Sequence, residues 1–188
     1  MFLNLPTLLT WARIVAIPLI VGVFYLPRPM AELNLVASVL FVLVALTDWL
    51  DGWLARRLNQ TSAFGAFLDP VADKFLVCAS LLILLQLDRV NALVALVIIG
   101  REIAISALRE WMAQIGASKS VAVHMLGKLK TASQMLAIVF LLYDGPLFGV
   151  IPTHLLGTWL IYIACCLTIW SMAYYLKKSL PDIRAKAR

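Results

Sequence analysis

Asp48-Trp49-Leu50-Asp51-Gly52-Trp53-Leu54-Ala55-Arg56, followed after eight residues by Gly65 and then by Asp69-Pro70-Val71-Ala72-Asp73, sets four carboxylates within 26 residues of otherwise apolar sequence. The whole chain has only ten acidic residues, so this stretch is where its negative charge is concentrated. Each ionised carboxylate in hydrocarbon costs about 2.5–3.5 kcal/mol on insertion scales, and four would oppose insertion by about 10 kcal/mol unless cations neutralised them. The stretch therefore implies both a membrane and a bound cation.

The rest of the chain agrees on the membrane. Of 188 residues 63% are hydrophobic and 14% charged, with a mean hydropathy of +0.94, which excludes an ordinary soluble surface. A helix needs about 20 apolar residues to cross a bilayer. Six such stretches are expected near 8–27, 33–55, 67–87, 91–113, 125–143 and 154–176, leaving a single membrane-embedded domain, 1–188, with no second unit. Arg56, Arg57, Lys119, Lys177, Lys178, Arg184, Lys186 and Arg188 fall after the second and fourth stretches or in the tail, with Lys128 and Lys130 just beyond. The opposite connections hold Arg28 and Arg89, with Glu32 and Asp88 near them in sequence. The positive-inside rule then places both termini and the acidic segment on the cytoplasmic side. The net charge of +6 belongs to that face, where it meets anionic headgroups, and nothing resembles a nucleic-acid module. The N-terminus lacks the basic leader and cleavage site of a secretory signal and is expected to be retained.

On a helix Asp48 and Asp51 are three residues apart and Asp69 and Asp73 four, so each pair shares a face. A short connection, Arg57 to Phe64, brings the pairs to one depth. Oxygen ligands without His or Cys select Mg²⁺, Mn²⁺ or Ca²⁺, and four carboxylates suit two ions, an arrangement used on phosphoryl groups. Gly52 and Ala55 allow close approach beside the acids, and Arg56 offers a fork of donors matched to phosphate. Pro70 is expected in the first turn of the third helix, where its missing N–H does little harm. Thr7 is a candidate cap for an interfacial helix, and Thr10 and Arg13, three apart, share its face. The plainer alternatives are an anchor whose Arg13 snorkels to lipid phosphates, and acids paired with Lys74, Arg101 or Arg109 for stability.

A second polar set lies in Arg101-Glu102 through Arg109-Glu110 and in Gly127-Lys128-Leu129-Lys130-Thr131. Glu102 and Arg109 are seven apart and nearly superposed on one face, while Arg101 is turned by about 100° from Glu102. Lys128 and Lys130 are about 200° apart, so one of them faces the interior. These cations fit a bound anion; the plainer reading pairs the arginines with Glu102 or Glu110. Cys78, Cys165 and Cys166 lie in apolar stretches and read as packing residues, and His124 and His154 lack zinc-ligand spacing. Gly145 and Gly149 are spaced as GxxxG, but Asp144-Gly145-Pro146 makes that segment a turn.

Asp48 to Asp73 matches every fixed position of D-x2-D-G-x2-A-R-x8-G-x3-D-x3-D, and in this the chain resembles the CDP-alcohol phosphatidyltransferases. The resemblance implies an all-α integral membrane fold of six transmembrane helices with an N-terminal amphipathic segment, usually a homodimer. It implies transfer of a phosphatidyl or related group from a CDP-linked donor to an alcohol, with release of CMP. Asp48, Asp51, Asp69 and Asp73 would then bind Mg²⁺ or Mn²⁺, two ions in all, with Asp73 also the general base. Gly52, Ala55 and Arg56 would contact CDP-diacylglycerol, bordered by Asn4, Pro6, Thr7, Thr10 and Arg13. Asn4 to Arg13, Arg101 to Ala113 and Gly127 to Thr131 further resemble members whose acceptor is glycerol 3-phosphate, so Arg101, Arg109, Lys128 and Lys130 are the candidate acceptor-phosphate residues. Serine or inositol phosphate is the alternative acceptor within the family. Outside it, a divalent-cation transporter would need no Gly-x2-Ala-Arg beside its ligands, and acids clustered at one surface make no path to the other.

Overall fold

The structure, a computed structural model, describes the backbone of residues 5–58, 63–114 and 125–186. Six helices occupy nearly all of it: α1 (Leu5–Val23), α2 (Met30–Leu58), α3 (Ala63–Gln86), α4 (Ala92–Gln114), α5 (Met125–Tyr143) and α6 (Thr153–Lys186). Between α5 and α6 a hairpin pairs β1 (Pro146–Leu147) with β2 (Ile151–Pro152), antiparallel, with Pro146 opposite Pro152. Phe148 (φ 53°) and Gly149 (φ +73°) turn it, so the GxxxG spacing is a loop, as the Asp-Gly-Pro sequence indicates.

Helix boundaries fall close to the expected stretches, with three informative differences. α1 begins at Leu5, so Thr7 lies inside its first turn rather than capping it, and the proposed interfacial segment is continuous with the helix that follows. α3 begins at Ala63, which places Pro70 in the helix interior instead of its first turn. Pro70 removes the donor that would meet the Ala66 carbonyl, a cost accepted where the helix carries the Asp69 and Asp73 side chains. α6 continues ten residues past the expected end at 176.

α1 packs on α2 and α3, α5 joins α2, α3 and α6, and α4 rests on α3 and α6. Their shared core is built from residues such as Ile17, Phe41, Leu81, Ile98, Ile138 and Ile161, all buried. The outside is equally apolar: Val15, Leu19, Leu93, Leu96, Trp159 and Trp170 are exposed. Helices that are hydrophobic all round belong in lipid rather than water. By length and hydropathy, among the described residues, Met30–Asp48 and Thr153–Lys178 are long and apolar enough to cross a bilayer, and Thr7–Val23 and Leu129–Tyr143 are shorter apolar helices. Two interior hydroxyls are satisfied within their own helices, Ser38 on the Leu35 carbonyl at 2.9 Å and Ser80 on that of Leu76 at 2.8 Å.

One end of the bundle is tied by Arg89, in the α3–α4 turn. Its Nη1 donates to the Leu141 and Leu142 carbonyls, both at 3.0 Å, and so caps the end of α5. Nη2 donates to Asn34 Oδ1 at 2.9 Å, and Nε lies 3.1 Å from Asp144, which in turn meets His154 Nδ1 at 2.6 Å. The acid that pairs with Arg89 is therefore Asp144, brought in by the fold, rather than its chain neighbour Asp88. Arg28 does pair with Glu32, at 4.0 Å on the surface.

Candidate active site

The acids gather at the opposite end of the bundle, because α2 ends and α3 begins there. Thr10 and Arg13, one turn apart on α1, face Asp69 and Asp73, one turn apart on α3. Thr10 Oγ1 donates to Asp69 Oδ1 at 2.6 Å. Arg13 Nη1 donates to Asp48 Oδ1 and to Asp73 Oδ1, each at 2.9 Å. The Arg13 side chain is fully buried, whereas those of Asp48 and Asp73 are 48% and 43% exposed, so the cation lies behind the acids and leaves them accessible. Thr10 and Arg13 thus position the acids directly, a contact the sequence does not reveal. Thr7 is buried on the same helix.

Asp51, Gly52, Ala55 and Arg56 lie on the helical backbone of α2, three, four, seven and eight residues beyond Asp48; their side chains are outside the described residues, as is that of Lys128. Among the described residues no three His, Cys, Asp or Glu side chains form a metal cage by themselves. The donor set nevertheless suits hard divalent ions: it consists of carboxylate oxygens, and Asp48 and Asp73 converge on a single point where they already share one cationic hydrogen-bond donor.

A cavity of about 300 Å³ runs from Asp48 and Asp73 to the second polar set. Its wall includes Lys74 on α3, Arg101, Glu102 and Arg109 on α4, Lys130 on α5 and Tyr175 on α6. Arg101 is buried; its Nη1 lies 3.3 Å from Glu102 Oε1, and its Nη2 donates to Ser171 Oγ at 3.1 Å. Lys130 Nζ donates to the same Glu102 oxygen. The Arg101 and Arg109 guanidinium carbons stand 6.0 and 5.9 Å from the Tyr175 ring centroid, and the π-face of that ring favours both cations. Of the two lysines weighed in the sequence, Lys130 faces this cavity. The single carboxylate of Glu102 serves two cations, so the lining carries four basic residues against three acids, Asp48, Asp73 and Glu102. One end is suited to metal-bound phosphate and the other to a second anion.

Sequence reasoning missed Gln134, Ser171 and Tyr175; it weighed Lys74 only as a stabilising partner of the acids and named Thr131 only as part of the second polar stretch. A signal existed for α5, where Gly127, Lys130, Thr131 and Gln134 follow the i, i+3, i+4, i+7 spacing of one helix face within apolar sequence. No comparable signal marks Tyr175, since a lone tyrosine in an apolar helix reads equally as packing or as part of an interfacial belt.

Comparison with known proteins gives this geometry a relationship. A family profile described as CDP-alcohol phosphatidyltransferase matches residues 3–170. The chain is 49% identical over 187 residues to the CDP-diacylglycerol–glycerol-3-phosphate 3-phosphatidyltransferase of Sodalis glossinidius, covering 97% of this chain and 98% of the relative. It is 46% identical over 182 residues to the protein of the same name from Salmonella choleraesuis, at 96% and 97% coverage. The Shigella flexneri counterpart is 45% identical over the same length. The acid motif, the membrane-suited helices and a match running through most of the chain converge, and the chain belongs to the CDP-alcohol phosphatidyltransferase family.

Proposed function

We propose that this protein transfers the phosphatidyl group of CDP-diacylglycerol to sn-glycerol 3-phosphate, yielding phosphatidylglycerophosphate and CMP. The observation that carries the reading is the shared cavity, with acids at one end and Arg101, Arg109 and Lys130 at the other. Relatives at 46–49% identity over nearly their whole length bear the name of that reaction.

In this reading Asp48, Asp51, Asp69 and Asp73 would hold two Mg²⁺ or Mn²⁺ ions. Bound there, the ions would neutralise the donor pyrophosphate and stabilise departing CMP. Gly52, Ala55 and Arg56 bind the CDP moiety, bordered by Thr7, while Thr10 and Arg13 hold the acids from behind. Asp73 takes the proton of the glycerol 3-phosphate C1 hydroxyl. That oxygen bonds to the donor's β-phosphorus as the bond to the bridging oxygen breaks and CMP carries that oxygen away. Arg101, Arg109 and Lys130 bind the acceptor phosphate, which relieves the crowding of cations on one Glu102 carboxylate.

All six helices span the membrane in this reading, with both termini and the cavity mouth cytoplasmic, so a water-soluble acceptor reaches a donor whose acyl chains stay in lipid. A homodimer in the bacterial inner membrane completes the proposal. The deciding experiment follows CMP release from CDP-diacylglycerol by purified enzyme offered glycerol 3-phosphate, serine or inositol phosphate. Release dependent on glycerol 3-phosphate, abolished by EDTA and restored by Mg²⁺ or Mn²⁺, is expected; equal use of serine, or full activity without metal, would overturn the assignment.

A further inference from the structure

Among the described residues, two buried polar atoms on residues lining the cavity have no hydrogen-bond partner: Arg101 Nε, a donor, and Gln134 Oε1, an acceptor. Gln134 is 2% exposed and sits one turn beyond Lys130 on α5. Its polar neighbours on that face are committed elsewhere, Lys130 to Glu102 and the Thr131 hydroxyl to the Gly127 carbonyl at 2.9 Å. Polar groups left unmet in a low-dielectric interior are unfavourable, so an orphan donor and an orphan acceptor on one cavity wall point to a ligand bearing both an anion and a hydroxyl.

Given the proposed acceptor, elimination identifies the hydroxyl. Phosphate oxygens accept hydrogen bonds and so can meet Arg101 Nε but have little to give an amide oxygen. The C1 hydroxyl gives its proton to Asp73. The C2 hydroxyl is the donor that remains. We propose that Gln134 Oε1 accepts a hydrogen bond from the C2 hydroxyl of the acceptor, making Gln134 a specificity-determining residue for a glycerol phosphate over a simple alkanol phosphate. The terminal torsion of glutamine is broad, so the amide oxygen turns toward the ligand at little cost.

The inference rests on the proposed acceptor and is tested with a substrate pair. 1,3-Propanediol monophosphate keeps the phosphate and a primary hydroxyl but lacks the C2 hydroxyl. The parent enzyme is expected to favour glycerol 3-phosphate by about 10–100-fold in kcat/KM, because the deoxy analogue leaves the amide oxygen unmet. Gln134→Met should reduce that preference to about 3-fold or less with the KM for CDP-diacylglycerol unchanged. Gln134→Glu, which keeps an acceptor oxygen, should retain the preference while weakening both phosphates alike. A parent enzyme that uses both acceptors equally well overturns the inference even if no variant folds, and so does a Gln134→Met enzyme that still discriminates. Failure of the parent to release CMP with glycerol 3-phosphate would instead remove the functional reading beneath it.

Discussion

Arg109 and Arg101 flank one tyrosine ring on the cavity wall, and the difference between them lies in their other partners. Arg101 is engaged by Glu102 and Ser171, whereas Arg109 is exposed and faces the same cavity. Arg109→Ala is therefore expected to raise the KM for glycerol 3-phosphate and leave that for CDP-diacylglycerol nearly unchanged. A charge-assisted bond to phosphate is worth about 1.5–3 kcal/mol, or about 10–150-fold in kcat/KM. Steady-state kinetics with each substrate varied in turn checks it, and an effect confined to the donor would refute the acceptor role. Asp73→Asn should slow turnover by about 10²–10⁴-fold, the usual cost of losing a general base. Donor binding should persist, since Asp48, Asp51, Asp69 and Arg56 remain; a binding assay showing that the donor is lost as well would make Asp73 chiefly a ligand. At this scale the acids were legible because charge is costly in apolar sequence and had to be explained. Tyr175 was not, because an isolated aromatic residue acquires a role only from the helices packed beside it, and Gln134 was marked only by its helical spacing from Lys130 and Thr131. Arg13 was legible as important and illegible in its partners, which lie 35 and 60 residues away.

The helices could be located from hydropathy because each apolar run is bounded by a turn or a basic segment. Their mutual contacts depended on residues too small to register in hydropathy. Gly157, near the start of α6, is such a residue. A Cβ there would lie 2.7 Å from Leu141 Cγ and 3.1 Å from the Leu141 backbone nitrogen, so α5 and α6 approach each other through the missing side chain. Gly157→Val should force these helices apart and destabilise the protein by about 1–3 kcal/mol, read as a lower thermal midpoint in detergent. Leu141 also offers its carbonyl to Arg89, so the displaced turn would strain that contact too. An unchanged midpoint would show that the two helices do not need this approach. Pro70 illustrates the limit of local rules: a start signal read from proline alone put the helix boundary too late, because packing around the acid cluster extends α3 to Ala63.

Across the whole molecule, α2 spans the distance between two polar poles. Asn34 binds Arg89 at one pole and Asp48 binds Arg13 at the other, and at 1.5 Å per residue they are about 20 Å apart along the helix axis. α6 repeats the direction in reverse. Thr153 at its start accepts from the Gly145 amide at 3.1 Å, near the Arg89 pole, while Ser171 and Tyr175 stand beside the cavity. The C-terminal basic residues Lys177 and Lys178 therefore follow the cavity wall, and Arg184, Lys186 and Arg188 come after them in the chain. At the far pole Arg89 is buried and paired with Asp144, and Arg28 is paired with Glu32, leaving little unbalanced positive charge there to retain that end in the cytoplasm. The positive-inside rule applied to this shape predicts that the cavity mouth and the C-terminus share the cytoplasmic side and the Phe148-Gly149 hairpin lies outside. A C-terminal fluorescent-protein fusion should be bright and a C-terminal alkaline phosphatase fusion inactive, with the reverse result for fusions at Gly149. The opposite pattern would place the cavity on the external face, away from a cytoplasmic supply of phosphorylated glycerol, and the proposed reaction could not proceed as described.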